Sequence, residues 1–547
     1  MRERAGTDWI NVADAMSEMA RLDPDREAVV FPRSGPDARL SFGALDRLSE
    51  SFAAGFERAG LGPGDRTLVF IPPGPELIAT VFGLLKMGGV PVLVDPGLPR
   101  EDMLTCIREA APAGFVGIPL AQCARRLFPG AFRSVRVSVT ACRSALIPGL
   151  TLARMREGGA RRAPVHVSAD DVAAIAFTSG STGIPKGVVY THGNFRAQVD
   201  VMQDDMGISP GDVHLACVHI FALFNPALGV TTVVPEMDPR RPAAVDPARL
   251  VRAMQAHRVT FSLGSPTIWR AVADYCQARE IRLESVGKIY MFGAPVMPSL
   301  VRKMKDCLAD GEVFTPYGAT EALPLTLIAG AELLEGAPAP AVAGVCVGCA
   351  IGGAEIRVIA IRDEPIPNWD QVQLLPPGEV GEVVVRGRVV TREYLNRPDQ
   401  TAASKIRDGR DLWHRMGDLG YLDDRKRLWF LGRKSHRVET RDGMMLPIPC
   451  EAVFNQHPRV ARCALVGVGT AGQQEPLLVV EPKPKQAPRS ADDQAEFIEQ
   501  LLELGRVHPH TRPIRRVLFH DSFPMDVRHN AKIQRERLAA WAERDST

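Results

Sequence analysis

Residues 177–187 read FTSGSTGIPKG, and they follow an apolar run, DVAAIAF. Glycines, hydroxyl residues and a single lysine crowd the end of a strand-like segment. Closely spaced glycines let backbone N–H groups approach an anion, and hydroxyls and an ammonium add donors. Phosphate is the ligand such a stretch suits. A Walker-type loop ends in Gly-Lys-Ser/Thr and opens a helix. Here Lys186 is followed by Gly187 and the strand-like VVYTH, which excludes an ordinary P-loop.

Outward from this loop, β-rich apolar runs (RTLVFI, VPVLVD, VTFSLG, KIYMFG, GEVVVRG) alternate with helical patterns such as FGALDRLSESFAAGFERAG and PARLVRAMQAHR. Strands alternating with helices predict parallel sheets covered on both faces, an α/β fold. LIATVFGLLKMGGVPVLV, residues 77–94, reads as a buried helix, a turn and a strand rather than a membrane span. Near residue 430 the character changes. LWFLGRKSHRVETRDG leads into strand signals (RCALVGVG, PLLVVEP), a helix (DQAEFIEQLLELG) and an exposed loop, PKPKQAPRSADDQ. We expect an N-terminal domain over 1–431, a hinge at 432–435 and a small α+β domain over 436–547.

The chain has 547 residues, more than one core holds. Sixty-six basic against 64 acidic residues leave a net charge of +2, which gives no electrostatic case for nucleic acid. The start, MRERAGTDWIN, lacks the apolar core of a signal peptide. Ten cysteines without a disulfide framework suit a reducing cytoplasm. Three motifs fail their context tests. GVGTAG (467–472) precedes QQEPLLVV rather than a helix, GISPG around Ser209 looks like a turn, and Cys346 and Cys349 have no partner pair at metal spacing. The cysteine pair reads as part of a glycine-rich connection.

The remaining candidates are scattered. They are the Lys186 loop, GAP at 293–295, TPYGATE at 315–321, Asp418 in HRMGDLGY, Arg433 in LGRK and Lys532 in DVRHNAKI. In this order TSGSTGIPKG, YGATE, GD, GR and the late lysine resemble the adenylate-forming superfamily of acyl-CoA synthetases, luciferases and peptide-synthetase adenylation domains. The resemblance spans nearly the whole chain. It implies a large N-terminal domain of two packed α/β sheet subdomains plus a distorted β-barrel, with a small mobile C-terminal domain. It also implies that ATP and a carboxylate give an acyl-adenylate and pyrophosphate.

By that resemblance Thr178, Ser179, Gly180, Ser181, Thr182, Gly183 and Lys186 hold the β- and γ-phosphates of ATP. Gly293, Ala294 and Pro295 line the adenine, with Tyr317 against the ring and Gly318 and Ala319 beside it. Thr320 contacts the α-phosphate, Glu321 holds Mg²⁺, Asp418 accepts the ribose hydroxyls with Arg433 nearby, and Lys532 bridges carboxylate and α-phosphate. Where most acyl-CoA synthetases carry an aromatic-His pair, the segment ALFNPALG places Asn225. The usual acidic hinge is replaced by Ser435 and His436, Met416 precedes Gly-Asp, and Asn530 and Ala531 precede Lys532. FALFNPALG, PEMDPRRPAAVDPARL, HRMGDLGY, GRKSHRVET and DVRHNAKI together are similar to one branch, the β-lactone synthetases of bacterial olefin biosynthesis. That branch implies a 2-alkyl-3-hydroxy fatty acid substrate, and association with a β-lactone decarboxylase and a dehydrogenase of the same pathway. His436, Asn225 and His529 are the candidates for a base acting on the 3-hydroxyl. The alternative is an acyl-CoA ligase, in which free CoA takes the acyl group.

Overall fold

The computed structural model describes residues 10–33, 35–142, 148–157, 161–178, 185–238, 241–335, 344–525 and 533–544. Ser179 to Gly183, His529, Asn530, Ala531 and Lys532 therefore lie outside the described residues, as does the side chain of Thr178, whose backbone closes strand Val172–Thr178.

Two sheets make the larger part. The first has six strands within residues 66–191, five of them parallel, and its last pair is antiparallel: Val172–Thr178 runs against Lys186–Thr191. The lysine is thus the first residue of a strand, as VVYTH predicts, and not the start of a helix. The buried span at 77–94 is helix Pro75–Lys86 followed by strand Val90–Leu93.

The second sheet contains four neighbouring parallel strands that carry the site: β1 (Val213–Leu215), β2 (Phe261–Gly264), β3 (Lys288–Met291) and β4 (Glu312–Ala319). All of β2 is buried, as expected of a parallel strand covered on both faces. The antiparallel strands Ala322–Ala329, Val345–Ala350, Leu428–Arg433, Asp411–Leu422, Gly381–Arg386 and Glu355–Ile359 continue this sheet beyond β4. They stand where the barrel was expected. Among the described residues they form an open path, with Lys405–Asp408 pairing to Asp411–Leu422 at its side.

Cys346 and Cys349 are not in a connection. They sit in strand Val345–Ala350, whose backbone pairs Leu327 with Cys349 and Thr326 with Ala350. GVGTAG begins in strand Val460–Val468 and turns into strand Glu475–Pro482, and Ser209 sits in a turn with its N–H on Asp212 Oδ2 at 2.9 Å.

Beyond residue 436 a three-stranded sheet has apolar residues on both faces. Cys463, Leu465, Leu478 and Val480 join one buried cluster, while Ala464, Val466, Leu477 and Val479 join another. This is the period-two alternation of a strand covered on both sides. Helix Ala491–Arg506 begins inside the stretch read as an exposed loop, because the Ser490 hydroxyl accepts from the Asp493 N–H and caps it.

Candidate active site

One cavity of about 2070 Å³ opens where the carboxyl ends of β1 to β4 meet residues 432–436 and 533–537. Ligands of open α/β sheets bind outside the carboxyl ends of the strands. Each of the four strands delivers a different group to the cavity: His219 follows β1, Ser265 follows β2, Gly293–Pro295 follow β3, and Thr320 and Glu321 follow β4. Gly293 has φ +91°, a left-handed turn that a side chain resists, so the backbone after β3 bends sharply at the cavity wall.

The β4 turn is held from three sides. The Tyr190 hydroxyl donates to the Thr320 carbonyl. The Thr391 N–H and hydroxyl donate to the Glu321 carbonyl at 2.8 and 3.0 Å. The Tyr394 hydroxyl donates to Glu321 Oε1 at 2.7 Å. Thr391 is itself placed by Asn194, which completes a capping box with Thr191 and donates to the Arg388 and Val390 carbonyls. Lys186 reaches the same corner, with Nζ 4.9 Å from the centre of the Tyr394 ring. An ammonium over a phenol face gains an electrostatic attraction and stays available to an anion.

Behind Glu321 lies Lys405, which is buried and donates to the Thr391 carbonyl. Burial pushes its pKa down to about 7, against the pull of Glu321. Its strand partner His414 is buried with Nδ1 3.2 Å from the Ser404 carbonyl, and desolvation with Lys405 nearby holds it well below the ordinary histidine range.

Asp418 and Arg433 face each other across paired strands and form an ion pair at 3.0 Å. Asp418 is 3 % exposed, and its second oxygen accepts from the Tyr317 hydroxyl at 2.6 Å. Burial and the neighbouring Asp418 raise the Tyr317 pKa well above its usual value, so the phenol stays a donor. Tyr317 also packs against Phe430. Gly318 brings the chain so close to the Ala322 carbonyl that a Cβ there would lie 2.7 Å from it. Thus Lys186, Gly293, Ala294, Pro295, Tyr317, Gly318, Ala319, Thr320, Glu321, Asp418 and Arg433 all line one cavity.

The C-terminal part closes the far side. Arg535 pairs with Glu451 at 2.8 Å, His436 Nε2 lies 3.1 Å from Glu536, and Ile533 and Gln534 line the cavity directly after the segment that contains Lys532.

Asn225 does not face the cavity as a reacting group. It is 2 % exposed, with Nδ2 2.9 Å from His214 Nδ1 and 2.8 Å from Thr232 Oγ1, because a buried amide must satisfy its donors internally. The histidine of that segment that does line the cavity is His219, which sequence reasoning passed over. Its signal was positional: it sits at the carboxyl end of a strand run, and that becomes visible only once the strand is known to be parallel.

Among the described residues no group of three His, Cys, Asp or Glu side chains could hold a metal, and no helix is long and apolar enough to cross a membrane. A lone carboxylate such as Glu321 suits a cation of the magnesium kind, which keeps its waters and leans on substrate phosphates.

A lysine at a strand start, a carboxylate at Glu321 and one large cavity at the strand ends suit an adenylate-forming enzyme. The chain belongs to the AMP-binding enzyme family, whose profile matches residues 16–395. It is 46% identical to an olefin beta-lactone synthetase of Xanthomonas campestris pv. campestris, with 98% of each chain covered. It is 44% identical to an olefin beta-lactone synthetase of Stenotrophomonas maltophilia, over 97% of this chain and 98% of that one. In fold it is similar to the O-succinylbenzoate coenzyme A synthetase MenE of Bacillus subtilis in complex with AMP, with a TM-score of 0.75, 21% identity, and 96% and 97% of the two chains covered.

Proposed function

We propose that the chain uses ATP to activate a 2-alkyl-3-hydroxy fatty acid as its acyl-adenylate, and that the 3-hydroxyl then displaces AMP to close a β-lactone. The observation that carries this reading is identity of 44 to 46% over nearly the full length to two chains named for that product. Apolar lining such as Phe221, Phe292, Val296 and Ile268 suits an acyl chain.

In this reading Lys186 and the loop before it, Thr178 to Gly183, grip the β- and γ-phosphates. Residues 293–295 and 317–319 take the adenine, Asp418 takes the ribose hydroxyls, and Thr320 meets the α-phosphate. Glu321 would hold Mg²⁺, which when bound neutralises phosphate charge. Lys532, carried by a mobile domain that turns about 432–435, bridges carboxylate and α-phosphate during adenylation. Pre-placed cations and donors stabilise the charge that develops as two anions meet. Nucleophile and electrophile then belong to one molecule, and well-oriented intramolecular reactions reach effective concentrations on the order of 10⁵ M or more. The enzyme would work in the cytoplasm, beside a β-lactone decarboxylase and a dehydrogenase that handle neighbouring intermediates.

The test supplies ATP, Mg²⁺ and the hydroxy acid with and without CoA. Lactone and AMP should form without CoA. A 2-alkyl acid lacking the 3-hydroxyl should still support pyrophosphate exchange, while AMP release stalls. If CoA restores turnover and a thioester accumulates, the chain is an acyl-CoA ligase instead.

A further inference from the structure

Among the described residues the cavity is lined by three histidines, His219, His414 and His436. Nδ1 of His414 is engaged by the Ser404 carbonyl, and Nε2 of His436 by Glu536. His219 has no hydrogen-bond partner among the described residues. Burial pushes its pKa down to about 4, so its ring is neutral and its lone pair available at physiological pH.

Its surroundings aim it. Residues His219–Leu223 form a short 3₁₀ turn after β1 that arches back across the strand ends. Phe221 packs on Phe292, next to Gly293, with ring centres 5.1 Å apart. Phe224 packs on Phe195 at 5.7 Å, Phe195 stacks on Tyr190 at 5.3 Å, and the Tyr190 hydroxyl holds the Thr320 carbonyl. The arch therefore runs from the adenine side of the cavity towards the α-phosphate side. Its far end is pinned by the buried bonds of Asn225 to His214 and Thr232.

Beneath the arch is a second group in need of a partner. Ser265 is 3 % exposed, lines the cavity and precedes helix Pro266–Gln277, yet its hydroxyl neither caps that helix nor meets any other acceptor or donor among the described residues. The register pairs Ser262 with Leu215, so β1 and β2 are neighbours, and Ser265 and His219 both follow their carboxyl ends into the cavity. A buried hydroxyl without a partner is costly, a cost that a polar group of the substrate would relieve.

We propose that His219 is the base of ring closure and that Ser265 positions the 3-hydroxyl of the acyl-adenylate against it. This rests on the lactone reading above. The hydroxyl oxygen bonds to the acyl carbon and its proton passes to the free imidazole nitrogen. The bond from that carbon to the phosphate oxygen breaks, and AMP leaves with the electron pair. The imidazolium then returns its proton to water. A positioned base of this kind contributes about 10²–10⁴ in rate.

The experiment uses the full chain with ATP, Mg²⁺ and either the 2-alkyl-3-hydroxy acid or its 3-deoxy analogue. It measures pyrophosphate exchange, AMP release and acyl product for wild type, His219→Gln, His219→Ala and Ser265→Ala. With the hydroxy acid, the ratio of AMP release to exchange should fall about 100-fold in both His219 variants, with acyl-adenylate accumulating. Ser265→Ala should raise KM for the hydroxy acid more than for the 3-deoxy acid. If exchange and AMP release fall together with both acids, the imidazole serves adenylation or folding and the proposal is overturned. An unchanged ratio overturns it too. A wild type that turns over only with CoA overturns the lactone reading itself, and the wild-type arm alone reveals that.

Discussion

Replacing Lys405 with methionine should flatten the pH dependence of stability in a range where few side chains titrate. Burial holds the folded Lys405 at about 7, against 10.5 for the free side chain. Between those values the unfolded chain carries a proton that the folded chain lacks, so stability rises with pH, by up to about 1.4 kcal/mol per unit. Integrated from pH 7 to 9, one such group adds about 2 kcal/mol. Below pH 7 both states are protonated, and the full penalty of about 5 kcal/mol is present. Urea unfolding of wild type and Lys405→Met at pH 7, 8 and 9 isolates this group, because Lys86 and Lys434, whose pKa values are also lowered, cancel in the difference. The variant leaves the Thr391 carbonyl without its Lys405 donor, an offset of about 1–3 kcal/mol that does not change with pH. Relative to wild type, the variant should therefore lose about 2 kcal/mol on going from pH 7 to 9. A difference that stays flat would mean that Lys405 keeps an ordinary pKa and that water reaches it.

Asp418→Ala should weaken ATP binding, since each charge-assisted bond contributes about 1.5–3 kcal/mol; titration calorimetry with ATP and 2′-deoxy-ATP checks this, and undiminished discrimination between the two would remove Asp418 from the ribose. Lys532→Ala should slow pyrophosphate release by about 10²–10³ while ATP still binds, and a wild-type rate would take Lys532 out of the chemistry. Arg415→Met takes from Glu382 the nearer of its two cations, in a buried ion pair whose side chains are 3% and 1% exposed, and leaves it Lys434 at 3.2 Å. The loss should reach about 3 kcal/mol in thermal melts, and replacing Lys434 by methionine as well should deepen it.

Much of the fold was legible because parallel strands buried on both faces read as continuous apolar runs, as VTFSLG does for β2. The strand that begins at Lys186 was equally legible, because Gly187 and VVYTH after Lys186 exclude a helix. What the sequence hid was direction. Asn225 and His219 lie six residues apart in one apolar segment, and nothing in their spacing says which faces the cavity and which satisfies His214 behind it. Nothing in the sequence marks Lys405. Only its pairing with His414 and its bond to the Thr391 carbonyl place it beneath Glu321. The Ser490 cap moved a helix start into an apparent loop, because serine and aspartate favour caps and coils alike.

The four parallel strands also set how such a protein can diversify. In the proposed reading the nucleotide lies on the turns after β3 and β4, the second of which is braced by Tyr190, Thr391 and Tyr394. In the same reading the acyl chain lies beside the turns after β1 and β2, the first of which has its own anchor in Asn225. Adjacent strands sit about 4.8 Å apart, so the two halves touch one ligand without sharing a loop. In that reading, substitutions in the arch at 219–223 would alter the fate of the activated acyl group while the bracing of the β4 turn stays as it is. A sheet edge of this kind lets one half of a reaction drift while the other is conserved by its own bracing.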